Sequence, residues 1–145
     1  HEFLNFPTEP GGTNLKSAFE EARRVLKHTG IVFVLSDFMA EDYERNLRQL
    51  SKKNDVVALK IEDPSEHQIP LSGRMEIENP ETGKSMEINT DSLTFKKSLK
   101  DWLTQFESKS KQALQFSGVE TLTIQTTDDY TEALVRFFKR RKQKK

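Results

Sequence analysis

The chain has 145 residues, 34% of them hydrophobic and 32% charged, with 23 basic residues against 23 acidic ones. That length suits a single domain over residues 1–145, with a core that is thin for its size. The absence of cysteine excludes disulfides, thiolate metal sites and cysteine nucleophiles. No apolar run approaches the roughly 20 residues that span a bilayer and no basic-then-apolar leader opens the chain, so no membrane segment and a cytoplasmic address are expected.

His1 to Phe6 reads as the end of a preceding helix. Gly11 and Gly12 allow a tight turn, after which Thr13 is placed to cap a helix. Leu15, Ala18, Phe19, Ala22, Val25 and Leu26 recur at three- and four-residue intervals, which predicts an amphipathic helix from Asn14 to His28, stopped by Gly30. The run Ile31 to Leu35 has no polar alternation, so it predicts a strand in the interior of a sheet, covered on both faces. Tyr43, Leu47 and Leu50 mark a helix from about Asp42 to Lys53, and Val56 to Ile61 predicts a second strand. Helix, strand, helix, strand with short connections implies parallel crossovers.

Arg74 to Glu78 and Ser85 to Asn89 alternate apolar and polar residues around the turn signals of Asn79 to Gly83. They predict an antiparallel β-hairpin with one wet face, attached to the parallel sheet as an edge. Leu93 to Phe116 fits one long helix closed by Gly118, and Glu120 to Gln125 is the last strand. Tyr130 to about Arg141 is the terminal helix, with Ala133, Leu134, Phe137 and Phe138 facing inward and Thr127-Asp128-Asp129 capping it.

Lys139, Arg140, Arg141, Lys142, Lys144 and Lys145 fall within the last seven residues, so the body, with 17 basic against 23 acidic residues, carries −6. Positive charge at a helix C-terminus complements the macrodipole, and a solvated helix end is the expectation. No aromatic residue interleaves with these cations to form a stacking platform, so nucleic acid is not an expected partner.

The candidate chemistry lies at loop ends. Thr13 and Asp37 fall where an α/β sheet holds ligands, and a hydroxyl with a carboxylate is a hard-oxygen pair suited to magnesium or manganese. Asp42, Asp63, Asp128 and Asp129 also fall at element ends, where aspartate favours turns and caps; a carboxylate cluster of the phosphotransferase kind is the sharper alternative. The three histidines show no ligand spacing, and there is neither a nucleophile elbow nor a glycine-rich phosphate loop. No catalytic residue is assigned.

Gly12-Thr13, and Ser36-Asp37 at a strand end, resemble the second and third motifs of the metal-ion-dependent adhesion site of von Willebrand factor A domains. The likeness is closer to the bacterial subgroup called domain of unknown function 58, often encoded beside MoxR-type AAA+ ATPases. It extends over Gly11 to Leu15, Val32 to Phe38 with Glu41-Asp42-Tyr43, Asp55 to Ile61 with Asp63-Pro64, Asn79 to Gly83, and Thr126 to Arg141. The first motif of the von Willebrand factor A family, Asp-x-Ser-x-Ser, does not occur in these residues.

The resemblance implies a Rossmann-like three-layer α/β fold, a parallel sheet with helices on both faces and an antiparallel β-hairpin, as the C-terminal part of a von Willebrand factor A-like domain that lacks its first strands. It implies a non-enzymatic protein–protein interaction module with an incomplete metal site at Thr13 and Asp37, partnering a MoxR-type ATPase or its substrate. No cofactor is expected here, and a divalent cation only in the complete parent domain. The alternative is a magnesium-dependent hydrolase or phosphotransferase using Asp37. In the parent fold the strand matching Ile31 to Leu35 lies beside a first strand missing here, so this apolar edge is expected to pair with a second copy.

Overall fold

A computed structural model describes residues 13–67, 73–78 and 85–144. Helix α1 (Leu15–Val25) is capped by Asn14, whose Oδ1 accepts from the Ser17 amide at 3.0 Å. Thr13 therefore stands one residue outside the cap that the sequence assigned to it. Leu15 must face the core, and this fixes the first turn so that Asn14, an equally strong capping residue, takes the position. Strand β1 (Ile31–Ser36), helix α2 (Glu44–Ser51) and strand β2 (Asp55–Glu62) follow, then a 3-10 turn over Pro64–His67.

Strands β3 (Arg74–Glu78) and β4 (Ser85–Asn89) pair antiparallel with Arg74 opposite Asn89. Their connecting turn lies outside the described residues. They form a two-stranded sheet of their own, and among the described residues they are not hydrogen-bonded to the main sheet, contrary to the expected edge attachment. Thr90 fixes the base of the pair instead: its amide and its Oγ1 both donate to the Gly73 carbonyl, at 2.8 and 2.9 Å. Gly73 has φ 80°, in the left-handed region that favours glycine. The wet face is present at Glu76 opposite Glu87, but Met86 is also exposed.

Helix α3 (Leu93–Ser117) ends where Gly118 adopts φ 68° and returns its amide to the Gln115 carbonyl. Strand β5 (Glu120–Gln125) and helix α4 (Tyr130–Lys144) complete the chain. Asp129 caps α4 by accepting from the Thr131 and Glu132 amides at 2.9 and 3.2 Å.

The main sheet runs β1-β2-β5, all parallel, with Ile31 opposite Asp55 and Val57 opposite Glu120. One face packs under α1, α2 and α3 through Leu15, Phe19, Leu47, Leu50 and Leu114 against Val56 and Ala58, with Val32 and Val34 beside them. The other face packs under α4, where Phe137 meets Val57 and Leu59. This is the expected three-layer α/β fold.

Two burial expectations are corrected. Val56 to Leu59 of β2, rather than β1, is the strand buried on both faces; β1 is an edge of this sheet. Ile31, Phe33 and Leu35 are 63%, 47% and 65% exposed while Val32 and Val34 are half-buried, because α4 lies over β2 and β5 and leaves that side of β1 bare. Phe138 accordingly reaches only the rim, against Phe33 at 5.9 Å between ring centroids, and is exposed.

Arg141 departs from a solvated helix end. Its side chain is 18% exposed and pairs with Asp55 and Glu120, both at 2.5 Å, tying α4 to the first residues of β2 and β5. Lys139, Arg140 and Lys142 are exposed.

Candidate functional site

The carboxyl ends of parallel strands are where α/β sheets place ligands, because the loops there leave a crevice beside the strand ends. In this chain that edge carries the segment from Asp37 to Tyr43, between β1 and α2. Ser36 Oγ accepts from the Phe38 amide at 3.0 Å, and Asp37 Oδ1 accepts from the Met39 amide at 2.9 Å. The two bonds fold the chain sharply back. Phe38 and Asp42 sit at φ 57° and 58°, strain that aspartate tolerates and phenylalanine rarely adopts.

Phe38 is held there by complete burial of its ring, 5.9 Å from that of Tyr43, which is also buried and lies 6.2 Å from Phe19 of α1. The loop is thus bolted to the core by two aromatic rings while Asp37, Glu41 and Asp42 stay exposed. Lys109 of α3 reaches Glu41 at 3.3 Å across an open hollow of about 640 Å³ between loop and helix. A narrow crevice beside it brings Asp37 near Lys60, Glu62 and Ser110. Lys60 and Glu62 pair at 2.7 Å and neutralise each other, while the carboxylates of Asp37 and Glu107 line the same crevice.

Tyr43 and Ser110 share the inner wall of the hollow, and neither hydroxyl makes a well-formed hydrogen bond among the described residues. Burial pushes the Tyr43 phenol above its ordinary pKa; the nearby Ser110 hydroxyl opposes this, and the charges of Glu44 and Asp37 add to it.

Thr13 stands exposed before α1, whose Leu15 and Phe19 join the same cluster as Phe38 and Tyr43, but no hydrogen bond joins Thr13 to Asp37 among the described residues. No three His, Asp or Glu side chains converge as a metal site among the described residues. The remaining candidate aspartates serve their own turns. Asp63 accepts from the Ser65 amide at 2.8 Å, Asp128 from the Gln125 amide at 3.1 Å, and Asp129 caps α4. Hydrogen bonds from Ser65, first its amide and then its hydroxyl, lower the Asp63 pKa, with help from Thr126.

Sequence reasoning placed Asp37 but missed Phe38 and Tyr43 as the anchors of its loop. The available signal was two aromatics flanking an acidic segment at a strand end. The left-handed backbone at Phe38 has no signature in residue type.

Fold and loop together define a three-layer α/β domain with an acidic face at the carboxyl edge of its parallel sheet. The chain belongs to the family described as Protein of unknown function DUF58, whose model matches residues 3–109. It is 25% identical over 143 residues to the uncharacterized protein MAV169 of Mycobacterium avium, covering 94% of this chain and 82% of that protein. It is 24% identical over 138 residues to the uncharacterized proteins Mb1516 of Mycobacterium bovis and Rv1480 of Mycobacterium tuberculosis, covering 90% of this chain. The match spans 42% of the length of those two relatives. No solved structure matches the chain. No helix among the described residues is long and apolar enough to cross a membrane.

Proposed function

We propose that this chain is a protein-interaction module, resembling von Willebrand factor A domains, that docks through the face bearing Thr13 and Asp37. The observation that carries the reading is the loop itself: Asp37, Glu41 and Asp42 are exposed while Phe38 and Tyr43 fix the backbone beneath them. A loop already ordered loses little entropy on binding, which favours a docking role. The resemblance points to a MoxR-type AAA+ ATPase or its substrate as the partner.

The donor set falls short of a complete adhesion-type metal centre. Magnesium asks for near-octahedral oxygen coordination, and Thr13 with Asp37 supplies one hydroxyl and one carboxylate, part of which is already committed to the Met39 amide. No step is therefore assigned to a metal. The acidic loop acts directly on a basic surface of the partner.

Calorimetry of this chain with the MoxR-type ATPase, repeated with Asp37→Ala and with magnesium added, tests the reading. Saturable binding weakened at least tenfold by Asp37→Ala, with or without magnesium, is expected. Equal affinity for both chains would overturn it. Magnesium-dependent hydrolysis of p-nitrophenyl phosphate, abolished by Asp37→Ala, would replace it with the hydrolase alternative.

A further inference from the structure

The amino edge of the main sheet carries a pocket of about 120 Å³ whose walls all come from residues 23–54. It opens where α1 and α2 end and the chain turns into β1 and β2, one strand length of about 20 Å from the Asp37 edge. Arg23, Lys27, His28 and Lys53 line it, and no carboxylate does. The neighbouring carboxylates serve other partners. Glu20 accepts from Asn46 at 2.8 Å, Glu21 pairs with Arg24 at 2.6 Å and Asp55 with Arg141 at 2.5 Å. Among the described residues, Arg23, Lys27 and Lys53 therefore have no ion-pair partner.

Neutral side chains fix this arrangement and leave its charge intact. Asn54 Oδ1 accepts from the Gly30 amide at 3.2 Å and its Nδ2 donates to the Leu50 carbonyl at 3.1 Å, which ties the start of β1 to the end of α2. Arg23 Nη1 donates to Gln49 Oε1, so the guanidinium is held between α1 and α2 without being neutralised. Cations at helix C-termini offset the macrodipole in any protein, and the amount decides whether that is their whole role. Two helix ends supply about half a negative charge each, about −1 together, against three permanent positive charges in the pocket. The surplus is about +2. The end of α2 is also served by neutral donors, since the Leu50 carbonyl takes the Lys53 and Asn54 amides as well as Asn54 Nδ2.

We infer that this pocket binds the dianionic phosphoryl group of a small phosphate monoester or of inorganic phosphate. Such a group carries about −1.5 to −2 at pH 7 and three acceptor oxygens, which matches both the surplus and the donors of Arg23, Lys27, Lys53 and His28. Drug-sized ligands occupy about 300–1,000 Å³, so this volume takes the phosphoryl head and leaves the rest of an ester in solvent. A nucleic-acid backbone spreads single charges along a line, whereas these cations share one pocket. No glycine-rich loop is needed, because side chains supply the donors. The site lies at the edge of the sheet opposite Asp37 and is independent of the docking role proposed above.

Calorimetry of the 145-residue chain at low ionic strength, with inorganic phosphate and with O-phosphoserine in separate titrations, tests the site. Saturable binding with a Kd of about 1 mM or tighter is expected for at least one of them, and the tighter of the two identifies a free ion or an ester as the ligand. Arg23→Gln and Lys53→Gln should each weaken it about tenfold with unchanged far-ultraviolet circular dichroism, the loss of one charge-assisted bond. Arg24→Gln removes the same charge one residue away and outside the pocket, and should change the affinity less than twofold. Asp37→Ala should leave phosphate binding untouched, which separates this site from the docking face. Absence of binding by both ligands would overturn the inference, as would an equal loss in Arg24→Gln, the mark of diffuse surface charge. Duplex DNA that binds more tightly than either ligand and is weakened by Arg23→Gln would replace the pocket with a polyanion surface.

Discussion

The two faces of strand β1 are built from the same residue types and reach opposite states. Under α1, α2 and α3, the even-numbered residues Val32 and Val34 of β1 pack against a continuous apolar cluster. On the α4 side, the odd-numbered Ile31, Phe33 and Leu35 stay largely exposed, although they are as apolar as their neighbours. A single helix about 10–12 Å across covers roughly two strands spaced ~4.8 Å apart. With α4 centred on β2 and β5, the third strand can receive only the rim contact of Phe138. Burial in this fold is decided by how many helices a face has, not by what its strands are made of.

The contrast can be broken first at Phe38, the fully buried ring that joins the loop to the three-helix face. Phe38→Ala should cost about 3–5 kcal/mol, whereas Phe33→Ala should change the unfolding free energy of the monomer by less than about 1 kcal/mol. Urea titration of both variants at low protein concentration measures the difference. Comparable losses would mean that the α4 face is covered after all.

Arg141 is the ionic tie that holds α4 over its two strands. Arg141→Gln leaves Asp55 and Glu120 without their cation and should cost about 1–3 kcal/mol, less than breaking a fully buried pair because both carboxylates are partly exposed. The loss should shrink in high salt. A variant as stable as the parent at both salt concentrations would show that apolar contacts of Phe137 alone seat the helix.

On the opposite face, Asn14→Ala removes the cap of α1 and should cost about 1 kcal/mol, read from the melting temperature, while Thr13→Ala should leave it unchanged. The reverse order would restore Thr13 as the cap.

The smallest effect is confined to alkaline pH. The buried Tyr43 phenol holds its proton above the ordinary tyrosine range in the folded chain. An unfolded tyrosine ionises near pH 10, so its contribution to stability is present below that value and lost as pH rises through the raised folded pKa. Tyr43→Phe should flatten this alkaline decline and delete the late phenolate step at 295 nm. A wild-type chain whose stability does not fall above pH 10 would contradict the burial of that hydroxyl.

Local pattern was enough for most elements. The alternation of Arg74 to Glu78 and Ser85 to Asn89, the punctuation by Gly118 and the bounds of Glu120 to Gln125 are short-range signals, and each element lies where its residues predict. The position of Asp37 at a strand end was legible for the same reason. What only the tertiary structure decided was coverage and partnership. An uninterrupted apolar run reads identically for the central strand β2 and the half-bare edge β1, since residue type records that a side chain avoids water but not whether a helix arrives to cover it. The detachment of β3 and β4, the left-handed backbone at Phe38 and the Arg141 bond to Asp55, 86 residues away, likewise follow from packing that no local window contains.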